Sequence, residues 1–442
     1  MKMSQIRERV VITGMGIVCP LGHDVASFWE GLLSGRSGAN RTTIFDASTF
    51  PTTFDAEVKG YDFRRQIRRP ELHEGCSRGS GFVIGAAAQA CQQARIEVES
   101  NEPNDGIDRT RMGIYLGAGE GSLDNDSFFA SIIAGWDAEQ QRMIWPRSIR
   151  VAMERMTAVR ELEQEPNMAA GHTAMLTGAR GPVRSCLTAC AASTQAVGEA
   201  MMLIRRGDAD IMIAGGTHSM IHPLGITGFN LLTALSQRND SPETASRPFS
   251  ASRDGFVIGE GAAILILESF ASARRRGVPI LAEVAGYGCS SDAFRVTDMH
   301  EEGRGAVQAM WAALTDAGLT PADIDYINTH GTSTVENDSI ETLAIKTVFK
   351  DKAKQIAVSS IKSMLGHLIG AAGAAEIIAS VLAIRNGIVP PTMNLHDPDP
   401  RLDLDYVPNA PRTMTVNTVM KESFGFGGQN NVVILKRFCE ET

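Results

Sequence analysis

Short apolar segments alternate with helical segments along most of this chain of 442 residues. Alternation of buried strands with helices is typical of α/β layers, in which helices cover the faces of the sheets. The predicted strands are 9–12, 211–214, 263–267, 282–286, 326–329, 356–359 and 432–435, and the predicted helices are 194–206, 306–317 and 374–385. The sequence therefore predicts an α/β fold with covered sheets.

A weak internal repeat suggests two similar halves. Strand 183–187 leads through Cys190 into a helix that stops near Gly207, and strand 356–359 leads through Lys362 into a helix that stops near Gly387. A glycine just past the last helical residue is a common stop signal. We predict an N-terminal half, 1–270, and a C-terminal half, 271–442. Two less regular stretches, about 30–110 and 122–178, are predicted to be cap insertions in the first half.

Composition excludes several classes of protein. A net charge of −9 argues against a general nucleic-acid binder, which would show a basic face. No apolar run reaches the roughly 18 residues that span a bilayer, and the charged start at 1–8 does not suggest a signal peptide. The seven cysteines are widely spaced without CxxC pairs, which favours reduced thiols in the cytoplasm over disulfides or a zinc site. We expect neither a metal nor a cofactor.

A glycine motif near the start, Gly14-Met15-Gly16-Ile17-Val18-Cys19, follows a predicted strand as a dinucleotide-binding loop does. The third glycine of that loop is missing, and Pro20 interrupts the helix that should receive a pyrophosphate. We interpret the motif as a tight turn.

Cys190 lies where a predicted strand ends and a helix begins, among small residues that leave room for a substrate. Unpaired backbone N–H groups and the helix dipole at such a position favour a thiolate, so a lowered pKa is expected for this cysteine. The alternative is a packed core cysteine, which is our interpretation of Cys186.

Two histidines and a lysine occupy strand-to-helix junctions like that of Cys190. They are His330, His367 and Lys362. A lone histidine is more often structural than catalytic, but α/β folds place their sites in loops at the carboxyl ends of strands. Glu376, on the following helix, is a candidate to orient Lys362; the alternative is a solvated helix face.

Five ordered motifs carry a resemblance to a known family. They are Val11-Ile12-Thr13-Gly14-Met15-Gly16, the pair Ser246-Arg247-Pro248-Phe249 and Arg253-Asp254-Gly255-Phe256, the segment beginning at His330, the segment with Lys362 and His367, and Phe424-Gly425-Phe426-Gly427-Gly428. With them, the sequence resembles the elongating β-ketoacyl-[acyl carrier protein] synthases, type I/II, over nearly its whole length. The resemblance implies a thiolase-like fold of two pseudo-symmetric halves in five αβαβα layers, acting as a homodimer.

The resemblance also implies a decarboxylative Claisen condensation that yields a 3-oxoacyl-carrier product. Cys190 would take the acyl chain as a thioester, while His330 and His367 would bind the malonyl thioester carbonyl and assist loss of CO2. A base is not needed at carbon, because decarboxylation itself generates the carbanion.

Supporting roles follow from the same resemblance. Lys362 and Glu376 would hold the geometry, and the N–H groups of Cys190 and Phe426 would form an oxyanion hole. Phe424 and Phe426 would belong to a gating loop.

Several residues depart from the family pattern. Asn337 replaces a glycine, Lys421 and Glu422 replace small or amide residues, and the 122–170 cap is longer than usual. Glu120 occupies a place that an apolar residue of the acyl pocket usually holds. We predict a preference for short or polar acyl groups, unless a one-residue slip in this glycine-rich stretch turns Glu120 outward.

The implied partner is an acyl carrier protein, which is acidic. Because this chain is also net negative, docking needs a local basic patch. The candidates are Arg64, Arg65, Arg68 and Arg69, and the alternative is an ordinary solvated charge run. A heterodimer with a subunit like a chain-length factor is a further possibility.

Rival functions remain open at this point. A thiolase needs a second catalytic cysteine, for which Cys439 is the late candidate; a starter-type synthase pairs its cysteine with one histidine and an asparagine. A chain-length factor lacks the nucleophile, and a cysteine hydrolase would release free acid. The sequence also leaves open whether the pathway makes fatty acids, polyketides or polyenes.

Overall fold

The computed structural model describes residues 8–121 and 124–440. The predicted absence of a signal peptide at the start therefore concerns residues that lie almost entirely outside the described part of the chain. The strands are β1 Val10–Val18, β2 Asn40–Arg41, β3 Phe54–Asp55, β4 Met112–Ala118, β5 Trp136–Asp137, β6 Arg142–Met143, β7 Val183–Cys186, β8 Ile211–His218, β9 Gly261–Ser269, β10 Ala282–Ser291, β11 Tyr326–Asn328, β12 Ala357–Ser359, β13 Ile388–Val389, β14 Arg412–Thr413, β15 Thr418–Gly425 and β16 Gln429–Lys436.

The α-helices lie between these strands. They are α1 Val25–Leu33, α2 Arg78–Gln93, α3 Asn125–Gly135, α4 Trp145–Arg155, α5 Ala158–Leu162, α6 Met168–Thr177, α7 Ala192–Arg205, α8 Pro223–Leu231, α9 Phe270–Arg276, α10 Arg304–Ala317, α11 Val335–Phe349, α12 Lys362–Leu365 and α13 Ala372–Asn386.

Ten strands form one hydrogen-bonded series in the order β12-β11-β15-β16-β10-β1-β9-β8-β4-β7. Five of them, β1, β4, β7, β8 and β9, come from the first half, and the other five come from the second. Number the five strands of each half in chain order, and read each half outward from the join between β1 and β10. Both halves then show the same spatial order: first, fifth, fourth, second, third. The parallel and antiparallel pairings also match strand for strand, and β1 meets β10 antiparallel at the join. The halves are therefore pseudo-symmetric.

Helices complete five layers around the two groups of strands. Helices α7 and α13 contact each other and strands of both halves, so they form the middle layer. Helices α2 and α6 cover the outer face of the first group, and α10, which packs against α11, covers that of the second. Strands covered on both faces are buried along their whole length and mostly apolar, as in β1 and β9. The predicted thiolase-like αβαβα arrangement is confirmed.

The glycine motif is not a tight turn, and that interpretation was wrong. Strand β1 continues straight through Gly14 and Gly16, with a register shift near Gly14. A Cβ on Gly16 would lie 2.0 Å from the carbonyl oxygen of Ala86, and one on Gly14 would lie 2.2 Å from that of Ala90. Both glycines therefore let helix α2 pack directly on the strand.

The stretches predicted as caps are only partly caps. Helix α2 lies within 30–110 and α6 within 122–178, and both pack against the sheet as outer-layer helices. Helices α3 and α4 pack on each other and expose large apolar side chains such as Trp145 and Met153. This segment is the part that behaves as a cap.

One helical stretch, Ile369–Asn386, is long and apolar enough to cross a membrane by length and composition alone. The sequence-based expectation that no apolar run is long enough to span a bilayer was wrong by this criterion of length and composition. Because 83% of the stretch is buried inside the protein, it is accounted for as the core helix α13 and the turn that precedes it.

Candidate active site

The functional candidates meet because parallel strands end at the same edge of each group. Cys190 follows β7, His330 follows β11, and Lys362 follows β12, so the two pseudo-symmetric halves supply equivalent loops. The sulfur of Cys190 and one ring nitrogen each of His330 and His367 lie within 4.8 Å of one another. All three side chains are buried. The structure thus brings together three of the residues that the sequence singled out.

A tight turn places Cys190. Residues Ala189–Ala191 form a 3-10 turn that runs directly into α7, and Ala189 has a φ of +46°, a left-handed conformation that is costly for a residue with a side chain. Gly425 leaves room beside this turn, since a Cβ there would lie 2.9 Å from the carbonyl oxygen of Thr188. The turn presents the sulfur at the start of α7.

The expected low pKa of Cys190 is not found. Burial raises the pKa of its thiol to about 11, although Lys362 and the backbone N–H groups of Phe426 and Cys190 act in the opposite direction. Desolvation of a thiolate outweighs the helix terminus here, because only 6% of the residue is exposed. The thiol of Cys190 is therefore neutral at rest.

Both histidines are neutral. Burial, followed by the nearby Lys362 ammonium, holds the pKa of His330 and of His367 well below the ordinary value. Nδ1 of His367 accepts a hydrogen bond from the backbone N–H of Ile369 at 3.2 Å, so the proton of the neutral ring belongs on Nε2. In the described part of the chain Nε2 has no hydrogen-bond partner, which leaves it as a donor for a substrate oxygen.

Lys362 and Glu376 form a buried ion pair. The Nζ of Lys362 contacts Glu376 and donates to the carbonyl oxygen of His330 at 2.6 Å. Glu376 is 1% exposed, so the alternative of a solvated helix face does not apply. The pair ties the His330 loop to helices α12 and α13.

A cavity of about 360 Å³ opens onto Cys190, His330 and His367. Phe424 and Phe426 line it, and the Phe424 ring lies 6.0 Å from that of His330, centroid to centroid. The backbone N–H groups of Phe426 and Cys190 lie close enough to the Cys190 sulfur to act on its pKa. The expectation of no metal and no cofactor stays a prediction.

Sequence comparison identifies the family. Models of the β-ketoacyl synthase N-terminal and C-terminal domains match residues 7–273 and 281–396. The chain belongs to the β-ketoacyl synthase family. As a β-ketoacyl-[acyl carrier protein] synthase, it is an acyltransferase that performs Claisen condensation in fatty acid or polyketide elongation.

Individual relatives of this synthase agree along nearly the whole chain. The 3-oxoacyl-[acyl-carrier-protein] synthase 2 of Coxiella burnetii is 43% identical, over 98% of this chain and 99% of the relative. A type II polyketide ketosynthase solved with its acyl carrier protein and a hexaketide has a TM-score of 0.85 at 34% identity, and the ishigamide ketosynthase/chain length factor has 0.84 at 33%. Each alignment covers 98% of this chain and all of the solved one.

Glu120 lies just past β4, at the same edge as the end of β8. Its carboxylate is 3.5 Å from Nε2 of His218, and its side chain is 69% exposed. The contact with His218 lowers the pKa of Glu120 to about 2. Glu120 is therefore ionised and paired. Sequence reasoning missed His218, although its place at the end of a strand parallel to β4 was a usable signal.

The four candidate docking arginines lie on the surface before α2. Arg64, Arg65 and Arg68 have side chains 65%, 83% and 71% exposed. Each of the four also has an acidic neighbour within 4.0 Å, which offsets part of its charge. They form a loosely paired basic surface rather than a free cluster.

Lys421 and Glu422, two residues that depart from the family pattern, are buried and lie close to the site. Lys421 contacts Glu376, and Glu422 faces Glu341, which binds the backbone of His330. Sequence reasoning noted both residues without placing them. A Lys-Glu pair inside an otherwise apolar strand was the signal that they would need buried partners.

Proposed function

We propose that Cys190 is the nucleophile that carries the acyl group, and that His330 and His367 bind the malonyl thioester. The observation that carries this proposal is the 4.8 Å cluster of the three side chains at the floor of one cavity. Both half-reactions can then occur without the acyl group leaving the site.

In the first half-reaction, the sulfur of Cys190 attacks the carbonyl carbon of an acyl thioester. The thiol passes its proton to a neighbouring imidazole, which returns it to the departing carrier sulfur, so the carrier leaves as a thiol and the imidazole is neutral again. The N–H groups of Cys190 and Phe426 stabilise the oxyanion, a contribution of roughly 3–4 kcal/mol per donor in other acyl-transfer sites.

In the second half-reaction, the imidazoles donate hydrogen bonds to the malonyl thioester carbonyl. The bond to the carboxylate breaks, CO2 leaves, and an enolate forms against those donors. Its carbon attacks the acyl group on Cys190, whose thiolate is the leaving group. Neutral rings suit this step, because an N–H donor stabilises the enolate without requiring a strong base.

Phe424, Lys362 and Glu376 support this chemistry. Lys362, fixed by Glu376, holds the carbonyl of His330 and contributes to the low pKa of both histidines. Phe424 lies against His330 at the cavity wall and would gate access together with Phe426.

The proposed partner is an acyl carrier protein that delivers both thioesters, and the four arginines before α2 are its proposed docking surface. A solved ketosynthase at 34% identity is bound to its carrier protein, which supports this choice. A second copy of the chain is proposed to pair along β7, an end strand that exposes Val183 and Leu187 beside it. A chain-length-factor-like subunit is the alternative at the same edge.

We further propose that residues 1–270 act as the unit that supplies the nucleophile and 271–442 as the unit that supplies the histidines. The matching strand order of the halves supports this division. A cytoplasmic location is proposed because all seven cysteines are free thiols.

The single variants His330→Ala and His367→Ala test the assignment. Each should still accept an acyl group on Cys190 and should lose most release of CO2 from a malonyl thioester, measured separately by intact mass and by labelled CO2. His396→Ala, at an exposed histidine, is the matched control. Normal decarboxylation by both variants would remove the histidines from these roles.

A further inference from the structure

Three of the departures from the family pattern lie in one buried network behind the histidines. Asn337, Lys421 and Glu422 come from α11 and β15 and are 8%, 0% and 0% exposed. Because side chains alternate along a strand, Lys421 points toward the middle helix layer, and Glu422 points to the opposite face, toward α11. The proposed mechanism uses none of the three.

Lys421 provides a second cation for Glu376. Its Nζ lies 2.7 Å from one carboxylate oxygen of Glu376, while Lys362 contacts the other. Lys421 also donates to the hydroxyl of Ser423 at 2.9 Å and to the carbonyl of Glu422. The result is a buried Lys-Glu-Lys row that starts at the backbone of His330.

Glu422 and Glu341 are a pair of buried carboxyl groups. Glu341 accepts from the backbone N–H groups of His330 and Gly331 at 2.6 and 2.7 Å, and from Nδ2 of Asn337 at 3.2 Å. The carboxyl group of Glu422 faces that of Glu341 closely enough for the two to shift each other's pKa, and both residues are 0% exposed. Two carboxylates that face each other without water cannot both ionise, so one proton stays between them.

Charge balance explains why the departures occur together. With one proton on the carboxyl pair, Lys362 and Lys421 carry two positive charges, and Glu376 and Glu341 carry two negative ones. Burial raises the pKa of Glu341 to about 7 and that of Glu422 well above its ordinary value. Glu341 is the one of the two that ionises first, because it also accepts backbone donors that favour its charged form. The other groups that face the pair are Asp338, which Arg253 approaches at 3.7 Å, and Tyr406.

We propose that Lys421 and Glu422 are positioning residues for the malonyl half-reaction, Lys421 by balancing Glu376 and Glu422 by donating a proton to the carboxylate that holds His330. This inference rests on the proposed function. Above the raised pKa of the pair the shared proton is lost, the two carboxylates repel each other, and the His330 loop shifts. Below the lowered pKa of the histidines an imidazole becomes protonated. It then has no lone pair and no longer acts as a neutral hydrogen-bond donor.

The test follows malonyl decarboxylation and Cys190 acylation separately across pH. In Lys421→Met the removal of a cation raises the histidine pKa values, so the acid limb of decarboxylation should move about one pH unit higher. In Glu422→Gln an uncharged amide still donates to Glu341, so decarboxylation should persist at alkaline pH where the parent loses it. Glu422→Leu, which has no donor, should lose about tenfold in decarboxylation with much less effect on acylation, and Glu422→Gln should restore it.

Lys354→Met is the matched control, because Lys354 is 67% exposed and its ion pair is with Asp403 at the surface. This variant should shift neither the acid nor the alkaline limb of the pH profile of decarboxylation. Identical pH profiles for the parent, Lys421→Met and Glu422→Gln, or full decarboxylation by Glu422→Leu, would overturn the inference. If Lys421→Met does not fold, the pH profile of Glu422→Gln, a nearly isosteric substitution, tests the inference by itself. A parent that does not decarboxylate malonyl thioester would instead contradict the proposed function.

Discussion

At the scale of single residues, the chemistry depends on how burial changes each group. The sequence singled out Cys190, His330, His367 and Lys362 because each lies at a predicted strand-to-helix junction, although His367 in fact follows the short helix α12. The direction predicted for the thiol pKa was wrong. The error has a physical reason: a sequence shows the helix terminus that favours a thiolate, and it does not show how completely the folded chain excludes water from it.

Glu120 shows a similar limit. Its departure from an apolar position was visible in the sequence, whereas its partner His218 lies 98 positions later and meets it only because β4 and β8 are neighbours. The contact with His218 gives Glu120 a polar neighbour, and 69% of its side chain is exposed. Glu120 is not among the residues that line the cavity at Cys190.

Replacement of Glu120 tests its proposed part in substrate choice. An ionised carboxylate beside a hydrocarbon tail is costly, so the parent should load short or polar acyl groups onto Cys190 more readily than long saturated ones. Glu120→Ile should load long chains at least about tenfold faster, and Glu120→Gln, which stays polar, should resemble the parent. Intact-mass measurement with acyl carriers of graded length reads this out. Equal loading of long and short chains by the parent would refute the idea.

At the scale of elements, the periodic pattern predicted the middle of most strands and helices. The helix predicted at 374–385 is Ala372–Asn386, and the strand predicted at 326–329 is Tyr326–Asn328. The Gly14–Gly16 segment was misinterpreted because a glycine that admits a neighbouring helix looks the same in sequence as a glycine that makes a turn.

The packing of α2 on β1 gives a stability prediction. Gly16→Ala would place a Cβ 2.0 Å from the Ala86 carbonyl, so it should lower the free energy of unfolding by roughly 2–4 kcal/mol. Gly171→Ala is the matched control, because that helical glycine faces open space and alanine there should stabilise by up to about 1 kcal/mol. Urea unfolding midpoints compare the two. Equal midpoints would mean that α2 does not pack on β1 as described.

At the scale of the whole molecule, two halves with the same strand order bring their loops to one site. Sequence repeats hinted at the duplication, since the Cys190 and Lys362 loops both run from a strand into a helix that ends at a glycine. The buried network around Glu341 and Glu422 could not be predicted, because its members come from separate elements that only the complete fold brings into contact.

Carrier docking belongs to this scale as well, because a chain with a net charge of −9 must attract an acidic partner locally. Arg65→Glu with Arg68→Glu should weaken carrier binding about tenfold at low salt and less at high salt. Arg274→Glu with Arg275→Glu is the matched control, since α9 follows the antiparallel strand β9 and so lies at the edge opposite the site. Fluorescence anisotropy of a labelled carrier measures both. If the double variant binds the carrier with unchanged affinity at both low and high salt, this surface is excluded as the docking site.

The central claim is decarboxylative condensation on Cys190, and one mass balance tests it most directly. The protein is first loaded from an acyl carrier and then given malonyl carrier labelled at the free carboxylate. We expect one acyl group on Cys190, its disappearance on addition of malonyl carrier, and equal amounts of labelled CO2 and 3-oxoacyl carrier. Cys190→Ala should form neither the acyl-enzyme nor the 3-oxoacyl carrier. Release of free acid without ketoacyl product, or an acyl group on any other cysteine, would contradict it.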